Sequence, residues 1–285
     1  MICYNVYGLT IASPFKTQLL VEAEPGEVDV YLRASEIPEQ IDDYSQGKTF
    51  RSNGKQFLFP PIGNEPGFFV ESPSSILVDA VPGRDDRSVF PRLLRSVLTA
   101  INYLRGRLVF HASSVVIEPL GVVAFLGRSG AGKSSLAHQF HESGEKVIGD
   151  DLVVVQDGRV CWSPPVLRLR PPSLNRDALP DKCEKRVIPL SAPQGGPLEV
   201  GLFCHLCRKI GEPELEELEG LIKARLLRRF LFRGGLLRGL SDSSDINSAF
   251  AALLSSVPVL QFRRDCAQPL KNNASFLRSE LRSRF

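Results

Sequence analysis

The stretch GRSGAGKSS, residues 127–135, constrains this chain more than any other. It fits G-x-x-x-x-G-K-[ST] at every fixed position, with Gly127, Gly132, Lys133 and Ser134 in the defining places. Glycines let the backbone curl until its N–H groups point inward, making a nest for oxygen anions at a helix N-terminus. Lys133 is then placed to reach the β- and γ-phosphates of a nucleotide, and the Ser134 hydroxyl to take a position on Mg²⁺. The apolar run VVAFL before the loop and the helical KSSLAHQFHES after it supply the strand–loop–helix context that the motif needs. The expected nucleotide-binding residues are Gly127, Ser129, Gly130, Ala131, Gly132, Lys133, Ser134 and Ser135, and the expected fold class is α/β.

A second anionic centre is needed to hold the metal. Asp150 and Asp151 follow the strand-like KVI and precede LVVV. Two adjacent carboxylates with apolar flanks are costly to bury unless cations offset them, so this pair is expected to point into a site. Successive strand side chains alternate, which predicts different tasks for the two acids. One binds Mg²⁺ and the other faces the attacking group; the spacing leaves open which does which.

Along the chain, residues 1–87 read as short β-prone pieces separated by Pro, Gly, Asp and Asn, a strand-and-turn pattern. The polar VPGRDDRS marks a boundary, giving a β-rich region over 1–87 and a second domain over 88–285. Phe90, Leu93, Leu94, Val97, Leu98, Ile101 and Leu104 recur at helical spacing, with Ser88 as the expected N-cap and Pro91 in the first turn. PELEELEGLIKARLLRRFLF is expected to be one helix, because its glutamates lie early and its arginines late. The Pro-rich SPPVLRLRPPSL is expected to be extended, DINSAFAALLSS helical, and VPVLQF a strand.

Composition narrows the partners. A formal net charge of +3 over 285 residues argues for neither nucleic acid nor a membrane surface. No apolar run approaches the roughly 18–20 residues of a membrane span, and the N-terminus shows no secretory pattern. Six scattered cysteines are too dilute for a disulfide scaffold, so a reduced, cytoplasmic protein is expected. CHLC, residues 204–207, could draw on His205 and Cys183, but the other cysteines are single and remote and the segment reads as an apolar strand, not a zinc site. The basic KARLLRRFLFRGGLLRGL reads as a packed helix with solvated arginines, and His138 and His141 as surface residues. A transport ATPase should carry an LSGGQ-like stretch and a GTP switch an NKxD-like one; neither occurs.

Taken together in this order and spacing, RLVFHASSV, GRSGAGKSS and GDDLVVV resemble the HPr kinase/phosphorylase family. They are most similar to its shorter relatives from lasso-peptide biosynthetic clusters, whose kinases phosphorylate the C-terminal serine of the precursor peptide. The resemblance covers residues 105–190 and extends more loosely to both ends. It implies an HPr-kinase-type P-loop core that uses ATP and Mg²⁺ and acts on a serine of a peptide or small protein. On this resemblance Asp150 takes the proton from the acceptor serine, Asp151 is its metal-side neighbour with Ser134, and His111 stands close to the phosphates. A further cation is expected from Arg168, Arg170 or Arg186, with Arg170 placed in the catalytic set beside Lys133. The family's EVRG-type signature has only a faint echo in LEVGLF, residues 198–203, without its arginine. A biosynthetic kinase is therefore expected over a regulator of sugar uptake. A non-catalytic nucleotide-binding scaffold and a small-molecule kinase are the other readings. HPr kinases are hexamers, so the resemblance also implies a homo-oligomer.

Overall fold

The computed structural model describes residues 1–24, 26–42, 45–47, 49–83, 86–169, 186–191 and 195–285. The fold is mixed α/β and divides into two compact units that alternate along the chain. The first comprises Met1–Phe110, Val154–Trp162 and Leu231–Ser256; the second His111–Val153, Ser163–Phe230 and Val257–Phe285.

The first unit opens with β1 (Ile2–Val6), β2 (Leu9–Ser13), β3 (Val21–Glu22), β4 (Val30–Ala34), β5 (Ser45–Gln46), β6 (Arg51–Ser52), β7 (Phe57–Phe59), β8 (Phe68–Ser72) and β9 (Ser75–Val78). These form one sheet in the order β3-β1-β2-β4-β9-β8-β7-β6-β5. The β-rich reading of this region therefore matches the architecture. Tyr7 (φ 54°) and Gly8 (φ 68°) make the left-handed two-residue turn that joins β1 to β2, as a tight hairpin requires.

A helix follows as α1 (Asp86–Arg92), a π-type turn (Leu93–Val97) and α2 (Leu98–Leu104). It starts two residues before Ser88, so Ser88 lies in its first turn and is not the N-cap. Sequence grouped this helix with the phosphate loop, across a boundary at 87/88. In the structure it packs within the first unit. Phe90 meets Tyr4 edge-on at 6.1 Å, Arg92 donates to the Pro66 carbonyl, and Arg105 pairs with Asp29 at 3.0 Å. The short strand β10 (Leu108–Phe110) closes this part of the unit.

The chain then enters the second unit with β11 (Ala112–Ile117), β12 (Gly121–Leu126), α3 (Lys133–His141) and β13 (Val147–Gly149). It returns to the first as the hairpin β14 (Val153–Gln156) and β15 (Arg159–Cys161). Next come β16 (Val166–Leu169), β17 (Arg186–Pro189), β18 (Leu198–Lys209), β19 (Glu214–Glu217) and α4 (Gly220–Phe230) in the second unit. Helices α5 (Gly234–Leu237) and α6 (Ser244–Ser256) belong to the first, and β20 (Val259–Asp265) and α7 (Leu270–Arg284) to the second.

In the second unit, consecutive strands pair in the order β13-β11-β12-β18-β20-β19. β12, β18 and β20 run parallel, so their C-terminal ends share one edge. Alternate residues of these strands face α3 and α7: Val123 and Phe125, then Leu202, Cys204 and Leu206, then Leu260 and Phe262. Against them lie Leu136, Ala137 and Phe140 of α3 and Ala274, Leu277 and Leu281 of α7. Phe125 and Phe140 meet at 5.5 Å, and Arg278 caps the Phe140 ring while pairing with Glu145 at 2.7 Å.

The expected helix from Pro213 to Phe232 is corrected here. Its acidic first part is strand β19, and α4 begins only at Gly220. Glu214, Leu215 and Glu216 alternate, so Leu215 packs on the core while Glu214 and Glu216 pair with Arg263 of β20. Pairing with a neighbouring strand outweighed the charge pattern. Among the described residues, no helix is long and apolar enough to cross a membrane.

Candidate nucleotide site

The site is built wholly within the second unit, at the edge where the parallel strands end. β12 delivers Gly127, which is buried between strand ends, and the chain curls through exposed Arg128, Ser129 and Gly130 into α3. Gly130 (φ 78°) and Gly132 (φ 99°) both hold left-handed backbone, the conformation that glycine adopts at least cost. Gly132 is the N-cap of α3, so the first free N–H groups of the helix face the curl of the loop. Lys133 is buried, and its Nζ arches back to donate to the Gly127 carbonyl at 2.9 Å. The predicted loop residues thus lie on one continuous turn, with Ser134 and Ser135 in the first turn of the helix.

Asp150 and Asp151 sit between β13 and β14, not within a strand. Their side chains diverge. Asp150 is buried, and its Oδ1 accepts from Ser134 Oγ at 2.7 Å and from Ser113 Oγ at 2.6 Å. Its Oδ2 accepts from the Arg168 backbone N–H at 2.8 Å. Asp151, also buried, holds a left-handed backbone (φ 75°) that is uncommon for a residue with a Cβ. Its carbonyl accepts from His111 Nδ1 at 2.9 Å; its carboxylate lies 4.0 Å from that nitrogen and 4.0 Å from Arg168 Nη1.

Gly149, just before the pair, packs closely against Ser163. A Cβ there would lie 2.5 Å from Ser163 Oγ, which itself donates to the Leu152 carbonyl. A side chain at residue 149 would therefore have to displace Ser163.

The structure therefore brings together Lys133, Ser134, Asp150, Asp151, His111 and Arg168. Arg186 stands apart, exposed on β17 opposite Leu169. Arg170 lies outside the described residues. Ser113 was missed by sequence reading; its only signal is its place two residues after His111, on the same pleat of the chain. The C-x-x-C spacing of Cys204 and Cys207 puts them on opposite faces of β18, Cys204 in the core and Cys207 beside His205 and Gln261. No group of three or more His, Cys, Asp or Glu side chains fit to hold a metal occurs among the described residues. Mg²⁺ does not need one, since it is commonly held by one or two carboxylates with phosphate oxygens and water. The oxygen pair Ser134 Oγ and Asp150 Oδ1 suits that hard cation.

The sequence matches no protein-family model and no curated protein. Among solved structures, the HPr(Ser) kinase/phosphatase from Coxiella burnetii is similar over 62% of this chain and 95% of that one, with 12% identity and a TM-score of 0.31. A likeness at that level carries no functional weight.

Proposed function

We propose that this protein is an ATP- and Mg²⁺-dependent kinase that transfers the γ-phosphoryl group to a serine hydroxyl of a peptide or protein. The observation that carries the reading is the hydrogen bond from Ser134 to Asp150, which ties the phosphate loop to a buried carboxylate. In P-loop phosphotransferases the loop hydroxyl and a strand-end Asp hold the metal between them. A structural serine–aspartate contact would not also require a lysine, a glycine nest and a second buried acid at the same place.

Phosphoryl transfer depends on in-line positioning and charge neutralisation more than on covalent catalysis. Loop N–H groups and Lys133 would cradle the β- and γ-phosphates. Ser134 and Asp150 would hold Mg²⁺, which neutralises phosphate charge when bound. Asp151, with His111 and Arg168 beside it, would orient the acceptor hydroxyl and take its proton. As the serine oxygen bonds to the γ-phosphorus, the bond to the β–γ bridging oxygen breaks and ADP leaves. This division reverses the roles implied by the family resemblance. It rests on the three donors that already occupy the oxygens of Asp150.

Of the acceptors, the C-terminal serine of a lasso-type precursor peptide is the one the resemblance names, ahead of HPr. The test offers radiolabelled ATP and Mg²⁺ with serine peptides, one ending in serine, and with HPr. Label on a serine is expected, lost in EDTA and in Asp151→Asn. Tight ATP binding without transfer to any acceptor would instead identify a nucleotide-binding scaffold.

A further inference from the structure

We propose that Arg208 and Arg264 form a two-cation clamp on the terminal phosphates of the nucleotide, with Arg264 touching the phosphoryl group in transit. The inference rests on the kinase reading above and supplies the transition-state cation that sequence sought in Arg168, Arg170 or Arg186.

The placement follows from strand register. Leu126, the last residue of β12, pairs with His205 of β18. Arg208 is three residues further along β18, roughly 10 Å past the end of β12 at about 3.3 Å per residue. It therefore overhangs the phosphate loop, and its Nη2 donates to the Gly130 carbonyl. Arg264 of β20 lies directly opposite Arg208 in the parallel ladder. Cys204, Leu206, Leu260 and Phe262 occupy the core face under α3 and α7, so alternation puts Arg208 and Arg264 on that same face, beyond the core. There the α3 N-terminus begins. A methyl group built on Gly132 would lie 3.5 Å from Arg264 Nη2 and 3.8 Å from its Cζ, so the guanidinium lies against the helix cap.

Arg263 is the internal contrast. It points to the opposite face, where Glu214 and Glu216 pair with it. Arg264 is only 7% exposed, and its guanidinium stands at the N-terminal end of α3, the end that attracts anions. An anion held by the N–H groups at that end of the helix would meet the guanidinium directly. Ligands in parallel α/β sheets bind beyond the carboxyl ends of the strands, where these two side chains stand. As the β–γ bond breaks, charge grows on the bridging oxygen, and a planar guanidinium can donate two hydrogen bonds to it and to the γ-phosphoryl oxygens.

The test uses the full chain, Mg²⁺ and fluorescent ADP, with and without aluminium fluoride, which completes a mimic of the phosphoryl in transit. Wild type, Arg264→Gln, Arg264→Lys and Arg208→Gln are compared, with Arg263→Gln as the control. Arg264→Gln should weaken binding of the aluminium fluoride complex about 100-fold or more and that of ADP less than about threefold, in keeping with the 10³- to 10⁵-fold rate effect of such arginines. Arg208→Gln should show a smaller loss of the same sign, and Arg263→Gln none. Because Arg264 is buried, Arg264→Lys keeps the charge and carries the test if the glutamine variant does not fold; at least a tenfold selective loss is expected. Unchanged binding of the mimic, or equal loss of ADP and mimic, overturns the clamp. A wild-type chain that binds no nucleotide overturns the kinase reading with it, so the two failures are distinguishable.

Discussion

Asp150→Ala removes in one step the acceptor of three hydrogen bonds, from Ser113, Ser134 and the Arg168 N–H. Ser134 is half-buried and can turn its hydroxyl to water, but Ser113 is fully buried and the Arg168 N–H is fixed by β16. A hydrogen bond to a charged group contributes about 1.5–3 kcal/mol, and a buried donor left unmatched costs about 1–3 kcal/mol. These figures describe overlapping effects, and removing a buried charge offsets part of them. A net loss of about 2–4 kcal/mol results, or about 4–16 °C in melting temperature at roughly 2–4 °C per kcal/mol. Asp150→Asn should lose less, because its carbonyl can still accept from both hydroxyls while its amide opposes one backbone N–H. Thermal melts followed by circular dichroism order the variants: wild type above Asn, Asn above Ala. Repeating them at 10 mM Mg²⁺ and ATP should stabilise wild type and leave Asp150→Ala unmoved. An Ala variant melting at or above wild type would refute the hydroxyl–carboxylate cluster as a stabilising element. One that keeps the full Mg²⁺–ATP shift would refute the metal role.

Two further outcomes follow from packing and protonation. Phe140→Ala should cost about 3–5 kcal/mol, because the ring is fully buried against Phe125 and under Arg278, and urea titration reads it directly. Burial holds the His205 imidazole below its ordinary pKa; its bond to Gln261 opposes that shift, and nearby Arg229 adds to it. The unfolded chain then binds the extra proton more readily, so stability is intact above about pH 6.5 and falls as pH drops towards the folded value. His205→Gln should flatten the melting temperature between pH 7 and pH 5, and an unchanged slope would place the titrating group elsewhere.

The strand–loop–helix shape around residues 127–134 was legible because its determinants are local. Nest, lysine and serine fall within eight residues, and the flanking strand and helix have their own periodicities. The burial of the Asp pair was legible for a related reason, since both acids are set among apolar residues. The different surroundings of the two carboxylates were not, because those of Asp150 are set by Ser113 and by the backbone of residue 168, which only the fold brings near. Arg208 and Arg264 carry no motif at all; parallel pairing of β12, β18 and β20 places them, through contacts far apart in sequence. Glu214–Glu217 misled for the complementary reason. Acids before a basic segment suit a helix dipole, but the strand β20 and its Arg263 offered those same residues more.

The bond between His111 and the Asp151 backbone has a chemical direction. A carbonyl oxygen can only accept, so a neutral imidazole in this setting must keep its hydrogen on Nδ1 and its lone pair on Nε2. Facing a hydroxyl, such a ring is a receiver. It can lend a hydrogen to a phosphoryl oxygen only after capturing a second proton. One main-chain contact, forty residues away in sequence, thereby decides which nitrogen of the neutral ring holds the hydrogen and which is left to accept.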